Sequence, residues 1–367
     1  MSVPTAEARQ HSVSAHPHPD ESLIGYIFRL AYLRRAPYAR GLAVGCGFRE
    51  LTNRPEPDWL AALAADARVT LAELEAISNG SALLPTSLYR GVELPSKVFG
   101  QRGRSGRRVC PGCLAASAYH RAIWDLMFVA VCPVHLNVLV DTCRACGNPL
   151  RWSGNDVTRC GCGKGDLTRM AAAPVSAEDA RGTRTVYGLL GDGRFKADAD
   201  RARGLEPFRD VGDGSIVDFI YRIGLEFLAG RGKVFSAEHP RELAWEAHVA
   251  LTRGLEVAEG WPDAFFAAMD MMRRRAPAYW AASLLQSSGA VERWLARLPD
   301  ASGLVIRAAC NEYRDRVIAG DAPPGLERVP GLSMHVRQRK LEMVKPSPER
   351  PRPKQSVRRK KASDGGD

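Results

Sequence analysis

Residues 110–162 read CPGCLAASAYHRAIWDLMFVAVCPVHLNVLVDTCRACGNPLRWSGNDVTRCGC and contain eight potential metal ligands. They form two sets of four, each made of two closely spaced pairs: Cys110, Cys113, Cys132 and His135, then Cys143, Cys146, Cys160 and Cys162. Such pairs lie on tight turns that aim both side chains at one ion, and thiolates with imidazole in tetrahedral number are typical of zinc. The pattern predicts two zinc ions in tandem zinc ribbons.

The ligand number indicates structural metal. A catalytic zinc keeps one position open for water, whereas each set here supplies four protein ligands. Iron–sulfur ligation is a weaker alternative, because His135 and the separated pairs favour zinc. Local pairing is the simpler arrangement, although the spacing also permits pairs that cross between ions. Gly147, Gly161 and Gly163 offer the permissive backbone of the turns, and His120, which has no nearby partner, is interpreted as a surface or packing residue rather than a substitute ligand.

The ribbons are expected to depend on metal for folding. About sixty residues cannot bury much apolar surface, so metal binding would supply much of their folding free energy. A small core is predicted from the apolar residues between the pairs: Trp124, Leu126, Phe128 and Val131. The two remaining cysteines, Cys46 and Cys310, are predicted to be ordinary buried thiols.

Length and composition are those of a folded protein with two or three compact units. The chain has 367 residues, of which 45% are hydrophobic and 7% aromatic. The N-terminus lacks the apolar run of a signal peptide, and the longest apolar stretch, residues 126–134, falls far short of the ~20 residues that cross a bilayer. A cytoplasmic protein without a membrane partner is therefore expected. Seven of nine cysteines lie between Cys110 and Cys162, which in a reducing compartment favours metal ligands over disulfides.

Positive charge is concentrated at the C-terminus. The formal charge is +11, and residues 337–367 hold eleven bases against four acids. This distribution favours a nucleic acid as partner, because no amphipathic basic helix or lipidation signal accompanies it; the alternative is a solubilising tail. The densest run gives four candidate DNA contacts: Arg358, Arg359, Lys360 and Lys361.

A second basic segment precedes the first ligand pair. Residues 97–108 read KVFGQRGRSGRR and contain no acid. A Gly-rich basic loop suits phosphate contact, whereas composition alone fits a solvated linker equally well. Five further candidate DNA contacts lie here: Lys97, Arg102, Arg104, Arg107 and Arg108.

The N-terminal segment is predicted to be helical. Apolar residues recur at helical spacing in ESLIGYIFRLAYLRR, with Asp20 or Ser22 available as the N-cap. Helices are also expected at about 58–67 and 70–79, the second opened by a Thr70 and Glu73 capping box and closed by Gly80. Two helices joined by so short a turn suggest a helix-turn-helix.

The second of these helices is a poor candidate for reading bases. It displays Glu73 and Glu75 and carries no Lys or Arg. Phosphates would repel this face, and recognition helices normally present Arg, Lys, Asn or Gln. A packing or protein-binding role is therefore favoured.

The C-terminal half is predicted to be an all-helical domain that follows a linker with short elements. Residues 169–214 are rich in Gly and Asp and poorly periodic. Helical patterns then occupy about 215–228, 241–257, 262–275, 279–286, 291–298 and 304–318. The 262–275 helix ends in Arg273, Arg274 and Arg275, which offset the negative helix end or contact the DNA backbone.

The expected fold is thus mainly α, with tandem zinc ribbons. Six segments are predicted: a disordered N-terminus (1–19), a helix-turn-helix-like unit (20–96), the basic loop and ribbons (97–168), a linker (169–214), a helical domain (215–330) and a disordered basic tail (331–367). The sequence contains no GxxxxGK[ST] loop, no GxSxG and no cluster of carboxylates suited to catalytic magnesium. These absences predict a protein that is not an enzyme.

Several motifs resemble the TniQ family, which includes the TnsD-like target selectors of bacterial transposons. They are PHPDESLIGYIFRLA, CPGCL, YHRAIWDL, CPVHLNVLVDTCRACGNPL and RCGCGKGDLT, in this order, with weaker support from GWPDAFF. The resemblance implies the same eight metal ligands and no catalysis. It also implies binding to double-stranded DNA and recruitment of an AAA+ ATPase regulator and, through it, the transposase. It leaves open whether the target is recognised directly or through a protein or RNA-guided effector, and whether the chain forms a homodimer.

Two other functions fit the same residues. A zinc-ribbon and helix-turn-helix transcription regulator would typically be a symmetric dimer on paired half-sites. A protein-binding adaptor with only non-specific DNA affinity would show strong salt dependence and little sequence preference.

Overall fold

The computed structural model describes residues 14–84, 86–95, 107–228, 247–275, 291, 294–296, 298 and 302–319. Within these ranges the chain is mainly α-helical, as predicted, with only short strands. The predicted helix at 279–286 and the tail at 331–367 lie outside the described residues. All described residues belong to one compact unit, within Met1–Ala322.

Four helices form the N-terminal segment: α1 (Leu23–Leu33), α2 (Ala39–Gly45), α3 (Pro57–Ala67) and α4 (Leu71–Ile77). The N-cap of α1 is Ser22, whose hydroxyl accepts a hydrogen bond from the Gly25 amide at 3.0 Å. Helix α2 was not predicted from the sequence. The apolar faces of the four helices enclose one core, which includes Leu23, Ile27 and Leu63.

Helices α3 and α4 are joined by three residues, as predicted. Arg68 ends α3 in the left-handed conformation, with a φ of 56°. The Thr70 hydroxyl accepts from the Glu73 amide at 3.2 Å, and the Glu73 carboxylate accepts from the Thr70 amide at 2.8 Å, which confirms the capping box. Helix α4 ends at Ile77, two residues before the predicted end. The helix-turn-helix interpretation of this pair stays a prediction.

Residues 14–19 differ from the predicted disorder. The His16 Nδ1 atom lies 2.6 Å from a Glu73 carboxylate oxygen. The His18 ring stacks on the Tyr119 ring with 4.1 Å between centroids. This part of the N-terminus therefore lies against α4 and against the loop that follows the first ligand pair.

A β-hairpin follows α4, formed by β1 (Thr86–Tyr89) and β2 (Val92–Pro95) in antiparallel register. A Cβ atom at Gly214 would lie 1.9 Å from the Glu93 carbonyl oxygen, so the hairpin backbone contacts the following helical region directly. This hairpin was not predicted from the sequence.

The ligand-rich region contains little regular structure. It comprises α5 (Pro111–Ala116), the antiparallel pair β3 (Val131–Cys132) and β4 (Asn137–Val138), and two 3-10 turns (Ala122–Asp125 and Leu167–Arg169). The predicted core residues Trp124, Leu126, Phe128 and Val131 are all buried. They do not form a separate small core, however, since the Phe128 ring packs on Tyr221 of the helical region at 5.3 Å.

The described C-terminal helices are α6 (Arg181–Leu189), α7 (Lys196–Arg203), α8 (Asp213–Leu228), α9 (Ala247–Glu259), α10 (Asp263–Arg275) and α11 (Leu304–Ala319). Helices α8, α10 and α11 match their predicted positions to within two residues at each end. One apolar cluster runs from Tyr89 to Val317 and joins the hairpin, the ligand-rich region and these helices.

Residues 181–203 of the predicted linker form the two short helices α6 and α7, whose buried residues belong to the same apolar cluster as the later helices. Helix α6 packs closely because it carries glycines at two contacts: a Cβ atom at Gly182 would lie 2.3 Å from the Leu251 backbone, and one at Gly188 would lie 2.2 Å from the Phe195 carbonyl oxygen. Glycine and the short helix lengths weaken the apolar periodicity. The sequence pattern therefore suggested a linker where the chain forms part of the core.

No helix in the described part of the chain is long and apolar enough to cross a bilayer.

Candidate metal centres

The first centre joins α5 to the β3–β4 hairpin. Cys110 is the N-cap residue of α5, Cys113 lies in its first turn, Cys132 ends β3, and His135 lies in the turn before β4. The His135 Nδ1 atom is 3.4, 3.3 and 3.6 Å from the three Sγ atoms in chain order. With Zn–S of ~2.3 Å and Zn–N of ~2.0 Å, tetrahedral geometry places sulfur and nitrogen about 3.6 Å apart. The donor set fits a tetrahedral zinc ion.

The second centre lies in the loop region that follows β4. The Cys143 and Cys162 sulfurs are 4.0 Å apart, as are those of Cys146 and Cys160. Within each centre all four ligand atoms lie within 4.8 Å of one another. Tetrahedral zinc with four thiolates requires sulfurs about 3.8 Å apart, so this set is also close to ligation geometry.

The grouping of the ligands is local. Each centre is built from consecutive pairs, and the crossed arrangement that the spacing permits does not occur. In the part of the chain that the structure describes, no third group of three or more such side chains comes together. The eight predicted ligands are therefore brought together as two separate four-ligand sets.

Glycines shape both centres. A Cβ atom at Gly112 would lie 2.6 Å from the His135 ring, and one at Gly165 would lie 2.5 Å from the Cys143 sulfur. Neither glycine was singled out from the sequence. Gly147 and Gly163 have φ values of 70° and 74°, as turns require, whereas Gly161 is needed because a Cβ atom there would meet the Ser153 hydroxyl at 1.9 Å.

The electrostatics of the thiols favour a bound cation. In the first centre a hydrogen bond from the Cys113 thiol lowers the pKa of Cys110, and the same contact raises the pKa of Cys113. One thiolate is thus stabilised while its neighbour keeps its proton. In the second centre the Lys164 and Gly165 amides lower the pKa of Cys162 to about 6. A divalent cation would let all the thiols of each centre ionise together, with His135 binding as a neutral imidazole in the first.

His120 is a buried packing residue rather than a surface residue or a substitute ligand. Its Nδ1 atom lies 3.0 Å from the Ser22 hydroxyl, and its Nε2 atom lies 3.1 Å from the Arg108 carbonyl oxygen. Burial lowers the pKa of this imidazole well below its usual value. A neutral ring therefore connects the N-cap of α1 to the chain that leads into the first centre.

Asp125 and Asn53 form a second buried connection, which the sequence did not predict. The Asn53 side-chain amide donates to the Asp125 carboxylate at 2.7 Å, and its oxygen accepts from the Ile24 amide at 2.9 Å. Asp125 is only 2% exposed, and burial raises the pKa of its carboxyl to about 7. These polar contacts fix α1 against the ligand-rich region.

Asp125→Asn is expected to become more stable relative to wild type as pH rises. Because the folded-state pKa is raised, the folded wild type binds the proton more tightly than the unfolded chain, so its stability falls from about pH 4 to 7. Asparagine does not titrate. The free energy of unfolding of the variant minus that of wild type, measured in urea, should increase by roughly 2–3 kcal/mol between pH 5 and 8. A constant or decreasing difference would show that the buried cations keep Asp125 ionised.

Three of the candidate DNA contacts are turned into the protein. Arg107 is 1% exposed, with its guanidinium over the Trp152 ring at 5.1 Å. Arg108 donates to the Leu126 carbonyl oxygen at 2.7 Å, and Arg273 is 5% exposed. The burial of Arg107 and the internal hydrogen bond of Arg108 do not favour phosphate contact at these two positions. The burial of Arg273 agrees with the structural alternative for the end of its helix.

The other candidates lie outside the described side chains: Lys97, Arg102, Arg104, Arg274, Arg275, Arg358, Arg359, Lys360 and Lys361. For these positions DNA contact stays a prediction.

The fold and its two centres define a mainly helical protein with tandem four-ligand Cys/His sites. The sequence profile of the TniQ family matches residues 13–139, which are 127 of the 367 residues. The match confirms the TniQ resemblance over helices α1–α4, the β1–β2 hairpin and the first centre; the second centre lies beyond it. No curated protein matches the chain.

Proposed function

We propose that this chain is a zinc-stabilised, DNA-binding adaptor that selects the insertion site in bacterial DNA transposition. The observation that carries the proposal is the TniQ match over residues 13–139, which contains a complete four-ligand centre. The adaptor acts in the cytoplasm, catalyses no reaction itself, and recruits an AAA+ ATPase regulator and, through it, the transposase to the chosen site.

Both centres are assigned to structural zinc. Three thiolates with one imidazole, and four thiolates, are donor sets that zinc prefers, and the ligand spacings suit tetrahedral coordination. Each set is complete without water, which supports a structural rather than a catalytic role. Such a centre acts by fixing the chain in one arrangement. The first centre holds α5 against the β3–β4 hairpin, and the second holds its two loops together.

The surface of α4 supports a protein partner better than DNA. Leu71 and Glu75 are exposed on α4, and Leu83 and Leu84 are exposed in the segment that follows this helix. An apolar surface with acidic neighbours suits a protein that presents apolar and basic side chains, and it would repel phosphates. A transcription regulator that reads bases through α4 would need basic or amide side chains there, which α4 lacks.

The proposed function is tested by mapping insertions. A transposition assay is run with this protein, the transposase and the AAA+ ATPase of the same element. The insertions should be concentrated at one DNA site, or in DNA that is bound by one class of target complex. Omitting the protein should scatter or abolish them. An insertion pattern that does not depend on the protein would overturn the proposal, and repression of a promoter by a symmetric dimer on paired half-sites would favour the transcription regulator.

Removing residues 337–361 is expected to weaken DNA binding and to flatten its salt dependence. This segment holds eleven bases and two acids, and each phosphate neutralised contributes about 0.9 to the slope of log affinity against log salt concentration. Binding of a random duplex to the full and shortened chains, measured over a salt series, checks this. Equal affinity and equal slope would remove the tail from the DNA-binding surface.

A further inference from the structure

An open groove lies between the end of α1 and the second metal centre. Its volume is about 730 Å³, and its lining includes Tyr32, Leu33, Arg35, Ser153, Asp156 and Arg159. One wall is the turn that joins α1 to α2, and the other is the loop that carries residues 153–163. The groove therefore combines the N-terminal helices with the loops of the second centre.

The two walls are held together by direct contacts. The Ala39 amide donates to the Gly154 carbonyl oxygen at 3.0 Å, and the Asn155 side-chain amide donates to the Ala36 carbonyl oxygen. Below them the Phe28 ring contacts Trp152 at 5.0 Å. These contacts fix the spacing of the walls, so a ligand would meet a preformed surface.

The lining of the groove carries two arginines, Arg35 and Arg159, and one acid, Asp156. The longer segments that contain the two walls, residues 32–49 and 143–164, hold eight bases and one acid, and one of these bases, Arg34, is paired with Asp66. That acid, Asp156, accepts hydrogen bonds from the amide and hydroxyl of Thr158, each at 2.7 Å. Four thiolates around zinc would add two excess negative charges at the second centre, and the bases of the two longer segments outnumber these charges.

Two arginines of the groove, Arg35 and Arg159, form no ion pair with any residue that the structure describes. Both side chains are exposed. By contrast, their neighbour Arg34 is paired with Asp66. The Asp166 carboxylate accepts hydrogen bonds from the amide and hydroxyl of Thr168 at 3.0 and 2.6 Å. These bonds and, to a smaller extent, the charge of Arg159 lower the pKa of Asp166. The groove thus presents two exposed arginines that are outside any ion pair among the described residues.

The α1–α2 turn also carries two exposed tyrosines, and the opposite wall has glycines whose backbone is unobstructed. Tyr32 and Tyr38 are 56% and 66% exposed. At Gly154 and Gly163 no atom lies within 4 Å of where a Cβ would be, so another backbone could approach closely. Arginine, tyrosine hydroxyl and backbone amide groups are the donors that proteins use toward DNA phosphates.

We propose that this groove binds the phosphate backbone of duplex DNA, with Arg35 and Arg159 as the principal contacts and Tyr32 beside them. The inference rests on the proposed function and specifies the surface that carries its DNA contact. Unlike the predicted basic segments, this surface is built by the fold from two regions that are more than a hundred residues apart.

The test compares two double variants that each remove two positive charges. The double variant Arg35→Gln with Arg159→Gln removes the two groove cations. Residue 35 has a φ of 54°, and because glutamine has a Cβ as arginine does, the exchange leaves the backbone strain at this position unchanged. Arg201→Gln with Arg209→Gln changes two exposed arginines that do not line the groove. Affinity of the full, zinc-loaded chains for a fluorescent random duplex is measured between about 50 and 200 mM salt.

The groove variant is expected to bind about 10-fold or more weakly than wild type at about 0.1 M salt, and its salt slope should fall by about 2. The control variant should change both quantities much less. Zinc content and thermal midpoint, measured on all three proteins, should be unchanged, which separates a lost contact from damage beside Cys160.

Three results would overturn the inference. Equal losses in both double variants would show a general charge effect, and wild-type affinity in the groove variant would show that DNA does not use this surface. Unchanged DNA binding with lost binding to the AAA+ ATPase would assign the groove to a protein instead. If wild type itself bound no duplex at any salt concentration, the proposed DNA-binding function would fail first, and this result is distinct from the other three.

Discussion

The Cys113→Ser variant is expected to bind one zinc ion per chain instead of two and to lose most of its soluble yield. Cys113 is buried, and its sulfur lies 3.6 Å from that of Cys132 and 3.3 Å from the His135 ring nitrogen. Structural zinc contributes an apparent ~10–16 kcal/mol in small zinc-binding units, whereas whole domains are stable by only ~5–15 kcal/mol. Loss of the first centre would therefore remove most of the stability of the region that it organises.

Zinc content by mass spectrometry and soluble yield after expression check this prediction together. The matched control is Cys46→Ser, which alters a buried thiol that belongs to neither centre and should leave two zinc ions bound. Cys146→Ser should reproduce the loss at the second centre. A soluble and fully folded Cys113→Ser protein that has lost its zinc ion would contradict a structural role for the metal.

The Gly254→Val variant is expected to lose at least about 3 kcal/mol of stability. Helices α8 and α9 are in direct backbone contact: a Cβ at Gly254 would lie 1.8 Å from the Ile220 carbonyl oxygen, and one at Gly224 would lie 1.8 Å from that of Ala250. A valine must force the helices apart, and this separation would open voids in the core that both helices share with the ligand-rich region.

Thermal unfolding of the zinc-loaded protein measures this effect, and a midpoint lowered by about 6–12 °C is expected. Gly41→Ala in α2 is the matched control, because no atom lies within 4 Å of its Cβ position and alanine favours helix by about 1 kcal/mol. Its midpoint should stay equal or rise slightly. A Gly254→Val midpoint equal to that of the control would show that α8 and α9 do not pack as closely as described.

The metal ligands and most long helices were predictable because each depends on local patterns. The spacing of the paired ligands is enough to identify them. In α8 the apolar residues recur at helical intervals, which is enough to predict the helix. The capping box of α4 is likewise contained within four residues. In such cases the neighbours along the chain already determine the structure.

The errors fall where distant residues decide the structure. Helix α6 was missed because Gly182 and Gly188 serve contacts with α9 and with the Phe195 backbone, which no local pattern reveals, and α7 is only eight residues long. Arg107 was assigned to DNA from the basic run around it, yet Trp152 and the Arg159 carbonyl oxygen hold it inside. Charge composition does not distinguish a cation that faces solvent from one that is enclosed by the fold.

The groove could not be predicted from the sequence for the same reason. Arg35 and Arg159 are far apart along the chain, and only the contact between the α1–α2 turn and the loop at 153–156 brings them to one surface. The sequence drew attention instead to residues 97–108 and to the tail, where bases are contiguous.

The most direct test of the central claim is the binding of the zinc-loaded protein to two duplexes across a salt series, with and without the AAA+ ATPase of its element. One duplex is random, and the other carries the junction sequence that flanks the native element. Direct target selection predicts affinity for the junction at least ~10³-fold above random DNA, and selection through a partner predicts weak, salt-sensitive binding that becomes site-specific once the ATPase complex is present. Absence of DNA binding under both conditions would contradict a DNA-binding target selector.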